Sequence, residues 1–375
     1  MAILSDICNM INEKIKINSE INDSLKETYI STENMLPNKN GVSIASNVPL
    51  SGSITSYKKS DTLVSNIRPY FKKIWYATHD GGCSNDVLVF RAKRGVSSDF
   101  VYYTLADDRF FDYSMKTSKG TKMPRGDKKS IMNYEVNSFD LITQQKATVS
   151  LRLIDDKIAL NNKINNNLEQ QAMAIYQQMF VDNPSSEWKE GTLSDIADIT
   201  MGQSPSGSSY NEESIGTIFF QGRAEFGFRF PTVRLFTTEP KRMACANDTL
   251  MSVRAPVGDL NVAHTDCCIG RGLAAIHSKT NHQSFVLYTM FSLKKQLDVF
   301  NGEGTVFGSI NRNSLNEMPI LIPSDEKLDE FEGIVAPMDT AIRNNYDEIC
   351  RLEQIRDSLL PKLMSGELDV SNIDL

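Results

Sequence analysis

The sequence predicts an α+β (α/β) protein made of two tandem copies of one unit, each a compact β-rich module followed by a long helix. Three observations predict it: an internal repeat of long period, short β-type runs in the first part of each copy, and apolar heptads in the second part.

The repeat comes first. Leu4, Ser5, Asp6 and Ile7 return as Leu193, Ser194, Asp195 and Ile196, and Asp61, Thr62, Leu63, Ser65 and Pro69 return as Asp248, Thr249, Leu250, Ser252 and Pro256. Gly120 and Thr121 match Gly304 and Thr305, while Leu168, Glu169 and Gln170 match Leu352, Glu353 and Gln354. The order is kept and the offset drifts only from 189 to 184. Four matches in register mark a duplicated unit of about 185 residues, far beyond the roughly 20 to 50 residues of a solenoid repeat. The length of 375 residues also suits two domains, since one core seldom grows past roughly 250 to 300 residues.

Runs of β-type residues at 86–91, 217–221, 249–253 and 272–276, punctuated by Gly, Pro, Ser and Asn, predict the strands of the modules. From 144 to about 180 there is neither Gly nor Pro, and Leu151, Ile154, Ile158, Leu168, Ala172, Ile175 and Met179 fall at alternating spacings of three and four. That is a packed helix whose two skipped seam positions hold Asn161 and Asn165. Val335, Met338, Ile342, Asn345, Ile349, Leu352, Leu359 and Leu363 make the equivalent seam in the second copy, with Arg356 as the exception. Asn161 and Asn345 correspond, and a buried Asn fixes register at a cost in stability. The two helices are therefore expected to pair with each other, through Ile154, Ile158, Asn161 and Leu168 on one and Ile342, Asn345, Ile349 and Leu352 on the other. The alternative is two unrelated surface helices. Pro337 and Pro361 predict a kink or a late start in the second. The expected divisions are 1–142 and 183–324 for the modules, 143–182 for the central helix, and 325–375 for the C-terminal helix and tail. About 35 helical residues reach ~52 Å. Laid antiparallel as a coiled coil, two such helices would hold the modules apart with approximate two-fold symmetry.

Composition narrows the function. With 40% apolar and 23% charged residues and no apolar run near the ~20 that span a bilayer, no membrane segment is expected. Asp6 and Asn9 interrupt any N-terminal signal core, so the expected compartment is the cytoplasm. The six cysteines form no CxxC pair, and the adjacent Cys267 and Cys268 point to opposite faces of a strand, which disfavours a metal site. The net charge of −7 is misleading: residues 320–375 carry 13 acidic and 5 basic side chains, leaving the rest at +1.

Catalytic motifs are missing. There is no glycine-rich methyl-donor loop, no [DN]PP[FYW] tetrad (Asn183, Pro184, Ser185 lacks its second proline and aromatic), and no GxxxxGK[ST]. Asp325, Glu326 and Lys327 read as a helix start favoured by the dipole. What remains suits nucleic acid. Lys116, Lys119, Lys122, Arg125, Lys128 and Lys129 form a basic stretch, expected to be a flexible loop, opposed only by Asp127; such a loop neutralises phosphates. Lys58, Lys59, Arg68, Lys72 and Lys73 are interleaved with Tyr57, Tyr70, Phe71 and Trp75. In the second copy, Arg223, Arg229, Arg234, Arg242, Arg254 and Arg271 accompany Gln221. Arginine and amide side chains suit bidentate contacts to base edges, which makes 221–234 the candidate base-reading stretch.

These residues lead to a resemblance covering essentially the whole chain. The runs Gly202, Gln203, Ser204, Pro205, then Tyr210, Asn211, Glu212, then 252–258 (SVRAPVG) and 269–272 (IGRG) resemble a target-recognition domain of the specificity subunits of type I restriction-modification systems. Gln203 thereby joins the candidate DNA contacts. The helix with Leu168, Glu169, Gln170, Gln171, Ala172, Ile175, Tyr176 and Phe180 resembles that family's central spacer, and 359–370 (LLPKLMSGELDV) its C-terminal end. The resemblance implies two target-recognition domains, each reading half of a bipartite double-stranded DNA site, and helices that set the gap and dock two methyltransferase subunits. S-adenosylmethionine would sit on those partners, and ATP and magnesium on added motor-nuclease subunits, with no cofactor in this chain. In the first copy SVRAPVG becomes 65–70 (SNIRPY) and IGRG becomes 83–86, so the halves are expected to share a scaffold and read different bases. The rival readings are a coiled-coil scaffold without DNA contact and a fused methyltransferase-nuclease.

Overall fold

The computed structural model describes residues 1–17, 25–302 and 308–373, so the repeat pair Gly304 and Thr305 lies outside the described residues. The chain packs as two units, Met1–Leu160 with Ile349–Leu375, and Asn161–Glu348. This differs from a division by element, because each long helix is shared between the units.

Each unit is built on the same antiparallel four-stranded sheet. In the first the order is Cys8–Ile11, Val87–Ala92, Thr62–Ser65, Ile74–Tyr76; in the second it is Ala197–Met201, Leu273–Ser278, Thr249–Ser252, Leu260–Val262. A second sheet in each unit contains one parallel pair, Tyr29–Ile30 beside Gly81–Cys83 and Thr217–Phe220 beside Cys267–Ile269. A two-stranded ribbon closes each module: Ala2–Ile3 with Glu135–Val136, and Lys189–Thr192 with Pro319–Ile322.

The repeated residues hold equivalent posts. Leu4–Ile7 and Leu193–Ile196 are single helical turns whose Leu and Ile are buried. The Asp6 carboxylate accepts the Ile3 N–H at 2.9 Å and Asp195 accepts that of Thr192 at 2.7 Å, capping donors that the short turn leaves open. Asp61 and Asp248 are buried just before a central strand and close matching turns by accepting the N–H of Lys58 and Cys245 at 2.7 and 2.8 Å. Each also has a cross-strand partner, Arg91 for Asp61 and His277 for Asp248.

The first long helix runs Leu141–Tyr176 and continues as a π-helical turn, Gln177–Asp182; the second runs Asp325–Ser365. The expected late start does not occur: the helix begins at Asp325 and runs through both Pro337 and Pro361. Pro337 and Gly333, whose carbonyl loses its donor, are both exposed, so water can serve that carbonyl. In the first unit Ala147, Leu151, Leu360, Leu363 and Met364 pack with Phe100, Phe110 and Phe111. In the second, Ala172, Tyr176, Phe180, Phe331, Val335 and Ile342 join Phe285 and Tyr288 in one core. Ring centroids there lie 5.0 Å apart for Phe180 and Phe285 and 5.2 Å apart for Phe180 and Phe331. Helix ends are thus core elements of each module, and truncating a ring such as Phe331 costs roughly 3–5 kcal/mol.

The corresponding seam asparagines, Asn161 and Asn345, do not meet each other. Asn161 donates to Glu348 at 2.7 Å, and Asn345 donates to Asn165 at 2.8 Å. A heptad shows which face is buried; the alignment of the partner helix decides which polar side chains come opposite. Ile158 and Ile349 are buried in the first unit and Ile342 in the second, whereas Ile154, Leu168 and Leu352 are half-buried. Among the described residues, no helix is long and apolar enough to cross a membrane.

Candidate nucleic-acid interface

In the second unit, loops at adjacent strand ends are tied together by backbone hydrogen bonds. Gln203 N–H donates to Ile269 at 3.0 Å, Gly270 N–H to Phe220 at 2.8 Å, Val253 N–H to Gly272 at 3.0 Å, and Arg271 N–H to the Ser204 hydroxyl at 3.2 Å. This brings Gln203, Gln221, Arg254 and Arg271 onto neighbouring loops, all with exposed side chains. The glycines make the approach possible: a Cβ on Gly202 would lie 2.1 Å from the Gly270 carbonyl oxygen, and one on Gly272 2.9 Å from that of Gln221. Ser252 closes 252–259 by donating to the Pro256 carbonyl at 2.7 Å and accepting the Asp259 N–H at 2.9 Å. Motif residues at 202–205, 252–258 and 269–272 thus form one scaffold that, together with the turn at 220–222, exposes four polar side chains.

The arginines of 221–234 divide. Arg223 is held by Asp259, which also binds Lys294 at 3.3 Å, and Arg234 by Glu225 at 3.1 Å and Glu212 at 3.5 Å; both keep about half their side chains in solvent. Arg229 does not fit the expectation of a base contact. Only 4% of its side chain is exposed, and its guanidinium is taken up by Glu169, Asp339 and Tyr288. A buried, ion-paired donor has nothing to offer a base.

In the first unit the basic stretch expected to be a flexible loop forms a short hairpin. Lys119 and Arg125 exchange backbone hydrogen bonds at 2.9 and 3.0 Å, and this hairpin docks on 66–68 through Arg68 N–H to Pro124 at 2.9 Å and Gly126 N–H to Asn66 at 3.3 Å. A Cβ on Gly126 would lie 2.7 Å from the Ile131 Cδ1 and 2.8 Å from the Ser114 hydroxyl, so a side chain there would have to displace these side-chain ends. Lys119 pairs with Asp127 at 2.5 Å yet stays 81% exposed, and Arg125 pairs with Asp86 at 3.1 Å. The Lys119 ammonium first, then the Ser130 N–H, hold the Asp127 carboxyl well below the usual range. Lys116, Lys122 and Lys128 are exposed around the hairpin, as is Lys58 on its own turn.

The mixed cluster separates into core and surface. Tyr57 and Trp75 pack edge to face at 5.7 Å, with Tyr57 buried, whereas Tyr70 and Phe71 are exposed beside Arg68 with rings 4.6 Å apart. Arg68 has φ of 49° and a buried Nε without a hydrogen-bond partner; left-handed backbone on a non-glycine residue costs roughly 1–3 kcal/mol, and such strain clusters at functional sites. Lys72 shares Asp108 with Lys39, both at 2.8 Å. Lys73 donates to the Thr32 carbonyl at 2.6 Å, and burial lowers its pKa. Lys39 and Asp259 carried no sequence signal, because their partners lie 35 to 69 positions away.

A family model described as "Type I restriction modification DNA specificity domain" matches residues 2–170 and 185–345. The chain is 37% identical over 174 residues to a putative type I restriction enzyme MjaX specificity subunit of Methanocaldococcus jannaschii, a match spanning 46% of this chain and 41% of that relative. It is 24% identical to the type I restriction enzyme HindI specificity subunit of Haemophilus influenzae across 97% of this chain and 98% of that one. The fold is shared with the S subunit of a type-I restriction-modification system from M. genitalium, at a TM-score of 0.63, 15% identity and 97% and 95% coverage.

Proposed function

We propose that this chain, which belongs to the family of type I restriction-modification specificity subunits, reads DNA sequence for a multi-subunit enzyme, each of its two specificity domains recognising one half of a bipartite double-stranded site. The observation that carries this reading is one strand scaffold used twice with different exposed side chains: Lys119, Lys122 and Arg125 beside the half-buried Arg68 on one unit, and Gln203, Gln221, Arg254 and Arg271 on the other. Lysines around the hairpin neutralise phosphates, and arginine and amide side chains contact base edges.

In the same proposal the two long helices form an antiparallel coiled coil that relates the domains by approximate two-fold symmetry, sets the gap between half-sites and docks two methyltransferase subunits. The support is the polar seam of Asn161 with Glu348 and Asn345 with Asn165, running in opposite chain directions. Adenine methylation with S-adenosylmethionine, and cleavage by motor-nuclease subunits using ATP and magnesium, belong to the partners. The setting is the cytoplasm.

The purified chain is expected neither to methylate DNA nor to hydrolyse ATP. With its methyltransferase subunits it should methylate adenines in one bipartite motif, read by sequencing modified bases in genomic DNA with and without the gene. Methyl transfer by the chain alone would establish an enzyme instead, and a complex with no salt-dependent DNA binding would establish a scaffold. Replacing Lys119, Lys122 and Arg125 by alanine is expected to weaken binding to all sequences alike. The slope of log affinity against log salt should flatten by roughly one unit for each phosphate that is no longer neutralised. An unchanged slope in titrations of the assembled complex would remove the hairpin from the interface. Exposed ion pairs contribute only about 0–1 kcal/mol, so folding should survive the change.

A further inference from the structure

Arg229 lies inside the candidate reading stretch but faces away from it. Its guanidinium is 3.1 Å from Glu169 on the first long helix and 3.2 Å from Asp339 on the second, and it donates to the Tyr288 hydroxyl at 3.2 Å. Tyr288 in turn donates to Asp339 at 2.9 Å. The loop around it is pinned as well. The Arg229 carbonyl accepts the Val262 N–H at 2.8 Å, the Gly227 carbonyl accepts from the Asn261 amide at 3.0 Å, and Phe230 packs on Tyr346 of the second long helix with ring centroids 4.9 Å apart. Burial works against the Arg229 charge, and Tyr288, Asp339 and Glu169 more than offset it. Burial likewise raises the carboxyls of Glu169 and Asp339, with Arg229 opposing the rise. A planar fork can satisfy two carboxylates and a hydroxyl together, where a lysine ammonium acts as a point charge.

The first unit repeats half of this arrangement. Tyr103 and Asp155 correspond to Tyr288 and Asp339, and Tyr103 donates to Asp155 at 2.7 Å. There the arginine bound to Asp155, at 3.1 Å, is Arg356 of the second long helix. In the second unit the cation comes from the reading loop.

We infer that Arg229 is a positioning residue for recognition, a buried clamp that fixes the 221–234 loop to both long helices and so transmits the half-site spacing to the second reader. This rests on the proposed division of labour between reading domains and spacer helices. With the clamp intact, loop and helices move as one body, and the second half-site is read at one distance. With it cut, the loop gains freedom along the helices and neighbouring spacings become acceptable.

The test uses the full chain assembled with its methyltransferase subunits on a library of sites in which both half-sites are kept and the gap is varied by single base pairs. Glu169→Gln removes the ion pair to the first helix while keeping size, an acceptor oxygen and the Asp339 pair; Arg229→Lys keeps a cation but not the fork. Both are expected to raise methylation at gaps one base pair off the native length about tenfold relative to the native gap, within the range by which one mismatched step is discriminated. Helix content and melting are measured alongside. A merely structural contribution would lower methylation at every gap in proportion, and that result, or an unchanged gap distribution in a folded Glu169→Gln complex, overturns the inference. A wild-type complex that methylates no bipartite motif would instead overturn the proposed function on which it rests.

Discussion

Exchanging the second specificity domain for that of another family member is expected to replace one half of the methylated motif completely and leave the other half unchanged. Cuts at 190 and 320 would split the ribbon in which Lys189–Thr192 pairs with Pro319–Ile322. The graft should therefore span 189–322, with both ribbon strands taken from the donor. Glu169 and Asp339 stay behind on the recipient helices. A donor without a cation at the Arg229 position would leave two partly buried carboxylates without their counter-charge, at a cost that approaches about 3 kcal/mol, the low end for a broken buried pair; restoring arginine there is part of the design. Each mismatched base pair in a specific site costs about 1–3 kcal/mol, so the original half-site should lose recognition by orders of magnitude. The measurement is sequencing of methylated adenines in cells carrying the exchanged gene. If both halves of the motif changed together, two independent readers would be the wrong description.

Lengthening both helices is expected to lengthen the gap. Four residues are inserted into the first long helix between Asn161 and the Leu168, Glu169, Gln170 triplet, and four into the second between Asn345 and the Leu352, Glu353, Gln354 triplet. Both sites lie beside the boundaries at 160/161 and 348/349 where each helix passes from one unit to the other. Each helix grows by ~6 Å, and DNA rises ~3.4 Å per base pair along each strand, so the motif should keep both half-sites and gain one or two unspecified base pairs. Four residues turn the helix by about 40° beyond a full turn, which shifts the seam and rotates one half-site against the other. Lower affinity and some loss of stability are expected, and helix content monitors the latter. A folded, active variant that keeps the original gap would remove the helices as the spacing element.

Much of this architecture was legible in the residue order. The LSDI turns could be found twice because their physics is local: an Asp reaching back three residues to a backbone N–H, between a Leu and an Ile that go into the core. The long helices showed in their heptads for the same reason. The glycines at 202, 270 and 272 were visible as motif residues, but their purpose, letting three loops pass within backbone contact, depends on neighbours about 50 to 70 positions away. The candidate contacts were less legible. The stretch 116–128 looked flexible because its glycine and lysines predict solvation, and nothing nearby in sequence announced that Asn66 and Arg68 would bind it through their backbones.

Residue order alone therefore determined the duplication, the alternation of modules and long helices, and the chemical class of the exposed side chains. These follow from periodicity, capping and polarity, which act over a few residues. Tertiary structure alone decided that Arg223 and Arg234 remain partly in solvent while Arg229, between them in the chain, is buried against Glu169 and Asp339. The same holds for Asn161, which pairs with Glu348, and Asn345, which pairs with Asn165. The physical reason is that a charged or amide side chain carries the same intrinsic preference wherever it stands. Whether it serves a ligand or the fold is settled by which opposite charges and acceptors the packing brings within about 3 Å of it, where pairing compensates for the loss of water.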